Sequence, residues 1–135
     1  MASRTVFDTN IWISYLIGKK TNEIMKMTEE SITLLHSAPA VEELIEVLSR
    51  KKFEKYNLDI SDIIFFYTNI SEFCHTVSKF SACPDPKDNF LFDLALQGNA
   101  KYLVSGDKTV LSTPVSSETL KVTTLPAFKE YLQIH

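Results

Sequence analysis

Thr5-Val6-Phe7-Asp8-Thr9-Asn10-Ile11-Trp12 opens the chain with a short β-type run that ends abruptly in Asp-Thr-Asn before apolar residues resume. It reads as a buried strand whose C-terminal tip carries a carboxylate into the next helix, where open α/β sheets set their chemistry. Three later stretches also set acids beside apolar elements: Glu42 and Glu43 before Leu44, Asp85 and Asp88 before Phe90 and Leu91, and Asp107 after Val104, Ser105 and Gly106. The four places together read as one acidic metal site.

Outward from that strand, Ile11, Trp12, Tyr15 and Leu16 mark a helix face, with Thr9 or Asn10 as its cap and Gly18, Lys19 and Lys20 as its end. A short helix is predicted from Thr21 with Ile24, Met25 and Met27 inside, and a strand over 32–36. Ser37 fits an N-cap, Pro39 a first turn, and Val41, Leu44, Ile45 and Leu48 a buried helix face with Glu43 at its margin. Asp59 or Ser61 caps a further helix through Ile63, Ile64, Tyr67 and Ile70, and residues 76–80 read as a short strand. Pro84 and Pro86 exclude a helix over 83–87, so the next begins at Asp88 with Phe90, Leu91, Leu94 and Ala95 as its apolar face. Gly98 and Asn99 stop it, strands follow at 102–104 and 121–123, and Ala127, Phe128, Tyr131 and Leu132 form a closing helix. Strands alternating with helices imply the α/β class, a mostly parallel sheet between helical layers.

A chain of 135 residues, 44% hydrophobic, with only 3 Gly and no linker-like tract, is expected to be one domain over 1–135. Cys74 and Cys83 lack metal-ligand spacing, and the N-terminal stretch does not resemble a signal peptide, so a reduced, cytoplasmic setting is expected. The apolar runs 11–17 and 63–67 are too short to span a bilayer. A net charge of −3 would ordinarily argue against nucleic acid as a partner. If divalent metal neutralises Asp8, Glu43, Asp88 and Asp107, however, the remainder is slightly basic. The run Arg50, Lys51, Lys52 and Lys55 reads first as a solvated helix end and second as a contact surface for RNA.

Hard divalent ions want oxygen ligands, and carboxylates converging from separate elements on one sheet edge can form such a cage. Metals held there can activate water and stabilise the charge of a phosphodiester under attack, so a nucleic-acid backbone is the expected substrate. Singly, each acid has a plainer role as cap, turn or solvated residue. Their joint placement at element ends favours the metal. Near the third place, Asp88 and Asp93 differ by roughly 140° around a helix. Asp88 then belongs on the packed side, and Asp93 reads as an exposed or supporting acid.

The chain resembles the PIN-domain family, specifically VapC-like toxin components of toxin–antitoxin pairs, in the branch whose third motif reads Asp-Pro-x-Asp-Asn. The resemblance rests on Val6 through Asn10, Ser37 through Glu43-Leu44, Asp85-Pro86-Lys87-Asp88-Asn89 through Leu94-Ala95, Val104 through Lys108, and the closing Leu125-Pro126-Ala127-Phe128. It implies a PIN-like three-layer sandwich and a ribonuclease in which Asp8, Glu43, Asp88 and Asp107 hold Mg²⁺ or Mn²⁺. Thr9, Asn10, Ser37, Asn89 and Ser105 then have supporting roles, and Arg50, Lys51 and Lys52 are candidate RNA contacts. The implied partners are an RNA substrate, a small antitoxin protein and a second copy of the chain in a homodimer. Relatives often carry a further acid where this chain has Thr109, which bears on a second metal. An RNA-processing PIN nuclease without an antitoxin, and a non-catalytic RNA- or partner-binding PIN-like protein, are the alternatives. A haloacid-dehalogenase-type enzyme would need an acid where Asn10 stands, and a dinucleotide-binding module would need glycines at the first strand-to-helix turn.

Overall fold

Alternating side chains along a strand point to opposite faces of its sheet, and three short strands of this chain use that rule to build two cores. The protein, a computed structural model, is described over residues 2–134, Ile134 by its backbone alone. In chain order the elements are β1 (Ser3–Phe7), α1 (Thr9–Ile17), α2 (Thr21–Glu30), β2 (Ile32–His36) and α3 (Ala38–Leu48). A 3₁₀ helix (Lys51–Tyr56), α4 (Ile60–Ile70), β3 (Glu72–Phe73), a 3₁₀ turn (Pro86–Asp88) and α5 (Asn89–Gln97) follow. The chain closes with β4 (Tyr102–Val104), α6 (Lys108–Leu111), β5 (Lys121–Thr123) and α7 (Leu125–Ile134).

The five strands lie in the order β3-β2-β1-β4-β5, and every neighbouring pair is parallel. Phe7, Leu34, Tyr102 and Val104 face one layer, where they pack with Trp12, Tyr15, Tyr67 and Phe128. Val6, Leu35 and Leu103 face the other, against Leu91, Phe92, Leu94 and Val110. Helices therefore cover both faces, as a parallel sheet requires. With β2 on one side of β1 and β4 on the other, the order reverses at β1, and a crevice is left at the strands' C-terminal ends. Among the described residues, no helix is long and apolar enough to cross a membrane.

The expected elements are present except one. Residues 76–80 form no strand; the third strand is the two-residue Glu72–Phe73 beside Leu35 and His36. The segment after it is held by side chains of α5. The Val77 N–H donates to Gln97 Oε1 (2.9 Å), and the N–H groups of Lys79 and Phe80 donate to Asp93 Oδ1 (3.1 and 2.8 Å). Asp93 is accordingly 6% exposed, so of the two roles expected for it, exposed or supporting acid, the exposed one does not hold. Smaller corrections have similar causes. Met25 and Ile45 point outward while Ala40 and Val47 join the core, and α1 begins at Thr9, so neither Thr9 nor Asn10 is its cap. Pro86 opens a 3₁₀ turn where no helical residue was expected, and α5 proper starts one residue later, at Asn89. Gly98 does more than stop α5, because a Cβ there would come within 2.8 Å of Leu35 Cδ1.

The role of Asp93 sets an order of stabilities. Asp93→Asn keeps an accepting oxygen and should cost about 1 kcal/mol, the difference between charge-assisted and neutral hydrogen bonds. Asp93→Ala leaves the loop N–H groups without that acceptor and should cost about 2–3 kcal/mol. Urea unfolding of both variants checks the order, and an alanine variant as stable as the asparagine one would contradict it.

Candidate metal centre

Parallel strands end on the same edge, so the acid after β1 and the acid after β4 must meet there. The N–H of Asp8 donates to the Val104 carbonyl (2.9 Å) and the N–H of Ser105 to the Thr123 carbonyl (2.9 Å), carrying the ladder one residue past each strand. Between them Ser105, fully buried, donates its hydroxyl to Asp8 Oδ2 (2.6 Å) and accepts from the Asp107 N–H (3.0 Å). One hydroxyl thus fixes the spacing of the first and fourth acids. Asp107 Oδ1 accepts from the Thr109 N–H (2.8 Å) to cap α6. Asp8, Asn10, Ile11, Ser14, Gly106 and Asp107 line an open cleft of about 420 Å³.

The other two acids approach from the helices. Ser37 accepts from the Ala40 N–H (3.3 Å) as the N-cap of α3, and Glu43 sits on that helix, half-buried. Asn89 Oδ1 accepts from the Cys83 N–H (3.1 Å) and ties down the loop that leads to Asp88. Asp85 caps the turn before Asp88 through the Lys87 N–H (3.1 Å).

Electrostatics records how near the acids lie. Burial pushes the Asp8 carboxyl above its usual range; the Ser105 hydroxyl and the Thr9 and Asn10 N–H groups pull it back, and the Asp107 charge pushes it up again. Burial raises Glu43, as do Glu46 and Asp8, while Arg50 and Lys87 oppose. Asp88 is raised most clearly, from 3.8 to about 6, by burial and then by Asp8, Asp85, Asp107 and Glu43. Every other acid of the expected set acts on Asp88, whereas Glu42 is exposed and Asp93 acts on none of the three.

Among the described residues no three of these carboxylates, alone or with His or Cys, close around a single point as a metal cage. The set is open: Asp8 and Asp107 line the cleft, and Glu43 and Asp88 lie outside its lining but near enough for charge to act between them and Asp8. That openness suits an ion of the magnesium type, which is commonly held by one or two carboxylates while waters and substrate phosphate complete its shell. The donors are hard oxygens whose repulsion awaits a cation, so the residues present fit such an ion.

The family model for the PIN domain matches residues 4–109. The chain belongs to the PIN-domain family. PIN domains are generally nucleases that typically use divalent metals. In fold the chain is similar to a chain of VapBC2 from Rickettsia felis, solved bound to a DNA fragment from their promoter. The TM-score is 0.58 at 17% identity, over 90% of this chain and 98% of that one. Among curated proteins none matches the chain in sequence.

Around the acids, this PIN domain places the basic run differently from a plain helix end. Arg50 pairs with Glu46 across one helical turn (2.8 Å), while Lys51, Lys52 and Lys55 lie exposed on the separate 3₁₀ helix. Lys87 escaped the reading of the sequence as a site residue. Its place between Asp85 and Asp88 in the third motif was the available signal, and its charge reaches Glu43.

A raised carboxylate makes stability depend on pH with a definite sign. Asp88 binds a proton in the native state up to about pH 6, but in the unfolded chain only to about 3.8, so the native state is favoured below that window. In chelator the protein should lose stability as pH rises from about 4 through about 6. Asp88→Asn, which cannot ionise, should melt higher than the wild type in chelator at neutral pH. Differential scanning fluorimetry across pH measures both, and a lower melting temperature for the variant would contradict mutual repulsion.

Proposed function

We propose that this PIN domain is a divalent-metal-dependent endoribonuclease, the toxin component of a toxin–antitoxin pair, with Asp8, Glu43, Asp88 and Asp107 holding Mg²⁺ or Mn²⁺. The observation that supports this reading is that Asp8 and Asp107 line one cleft at the sheet edge where the strand order reverses, with the charges of Asp8, Asp107 and Glu43 all acting on Asp88. Carboxylates that raise one another have no structural use together; a cation is what offsets them. When bound, such an ion supplies Lewis-acid polarisation of the phosphodiester and a more acidic water.

The chain's own residues supply the rest. Burial raises the Asp8 carboxyl, and Ser105 and the N–H groups of Thr9 and Asn10 oppose that rise, favouring the carboxylate form that can ligate. Asn89 and Ser37 hold the elements that carry Asp88 and Glu43. Arg50, Lys51 and Lys52, exposed beyond α3, are the candidate cations for RNA phosphates. A small antitoxin protein as partner, a homodimer, a one-domain chain and a cytoplasmic location complete the proposal.

Three measurements test it. Asp8→Asn and Asp88→Asn should each lose RNA cleavage while staying folded, and Asp93→Asn should retain most of it; cleavage by the wild type in excess chelator would overturn the metal's role. Millimolar Mn²⁺ should raise the melting temperature, by the equivalent of about 2.7 kcal/mol at a hundredfold excess over Kd. An adjacent small gene encoding a DNA-binding protein, copurifying with this chain when co-expressed, supports the toxin role over RNA processing without an antitoxin.

A further inference from the structure

Beside the acids, on the far side of the Pro86–Asp88 turn, lies a second cavity of about 280 Å³ whose walls include Pro39, Phe80, Lys87, Phe90 and Asp93. None of these five is an expected metal ligand, although Asn89, which also lines the cavity, supports the turn that carries Asp88. The volume is large enough to admit a planar heterocycle. Two aromatic rings stand in its wall. Phe80 is braced by Phe92, whose ring lies nearly parallel at 4.5 Å, so its orientation is fixed before anything enters.

The polar group in this wall is unusual for its depth. Asp93 is 94% buried, as the complement of its 6% exposure, and its three hydrogen bonds, from Lys79, Phe80 and Gln97, all fall on Oδ1. Among the described residues Oδ2 accepts none, yet it is not among the buried atoms sealed without a partner. Oδ2 therefore keeps some exposure and is free to accept, in a residue that lines the cavity. An ionised carboxylate oxygen accepts only, so the ligand must bring a donor. Lys87, in the same wall, is near enough to Glu43 for its charge to act there, which joins the cavity to the acid edge.

We propose that this cavity is a nucleobase pocket that takes a base with an exocyclic amine from single-stranded RNA, the amine donating to Asp93 Oδ2 and Lys87 meeting the adjoining phosphate. The inference rests on the RNA reading of the acidic site and adds its sequence preference. A planar base can stack on an aromatic ring of the wall, a sequence-tolerant contact, and the carboxylate then discriminates. Cytosine offers its N4 amine, whereas uracil of the same shape turns a carbonyl oxygen toward Oδ2, and two acceptors repel. A guanidinium from a protein partner would also suit a carboxylate, but Lys87 in the wall opposes a second cation.

The test compares short oligocytidylate and oligouridylate by fluorescence anisotropy on the full chain, in chelator so that binding is read without cleavage. The wild type should bind the cytidine oligomer about tenfold more tightly, the scale of one discriminating hydrogen bond. Asp93→Asn retains an Oδ1 acceptor for the loop and replaces Oδ2 by a donor, so the preference should vanish or invert. Lys87→Ala, at an exposed position, should weaken both oligomers alike and keep their ratio. Equal binding of the two by the wild type, failure to bind either, or a preference unchanged in a folded Asp93→Asn protein would overturn the proposal. Saturable binding of argininamide, lost in Asp93→Asn with no difference between oligomers, would give the cavity to a protein partner and overturn it too. A cytidine preference in a protein that cleaves no RNA would overturn the nuclease reading while leaving the pocket standing.

Discussion

A buried carboxylate survives only where something donates to it or something positive comes to it, and for Asp8 the largest such donor is the Ser105 hydroxyl. Ser105 binds one oxygen at 2.6 Å, and the same hydroxyl holds the N–H of Asp107. This bond spans the two central strands at the point where the sheet reverses its order. Breaking it would leave Asp8 buried and repelled by Asp107 with less to compensate, and would free the turn that carries Asp107. The register of Phe7 against Val104 and the placement of both acids are thus one constraint, expressed once in the ladder and once in a side chain.

The remaining acids join this pair at a cost that the fold distributes. Asp88 takes most of the repulsion because it faces four other carboxylates, and Glu43 is relieved in part by Arg50 and Lys87. Those two cations approach Glu43 from different elements, the end of α3 and the Pro86–Asp88 turn. The negative centre is therefore flanked by positive charge, an arrangement a polyanion requires of a binding surface whose chemistry depends on carboxylates. The net charge of −3 conceals this, since it averages a charge pattern that alternates over the length of one site.

The strands were legible because each is short, apolar and followed by an acid or a cap: 32–36 before Ser37, and 102–104 before Ser105 and Asp107. Alternation then assigned the two faces. Residues 76–80 misled because their composition is strand-like while their N–H partners are side chains twenty residues or fewer downstream, which no local pattern displays. The same loop explains Asp93. Helical periodicity placed it away from Leu91 and Leu94, but that side of α5 is covered by the loop Asp93 itself binds, so all of residues 91–95 are buried. Periodicity reports which residues are apolar; it does not report what a polar residue has gathered around itself. Met25 and Ile45 are the converse, apolar residues on helices that the described residues leave about half exposed.

The covering of Asp93 has a geometric consequence for the site. The 3₁₀ turn that carries Asp88 leads directly into α5, and α5 carries Asp93 and Gln97 one helical turn apart. The loop 77–80 is bound to that helix, so it keeps its place relative to Asp88 without touching it. Phe80 inherits its position from the same contacts and from the ring of Phe92. Three backbone N–H groups of the loop are thereby tied to the helix beneath it, which restricts the loop's movement against that helix. Rigidity of this kind is what allows side chains outside the acidic cluster to take part in selecting what the cluster acts on, because a pocket that must be assembled on binding spends affinity on ordering itself.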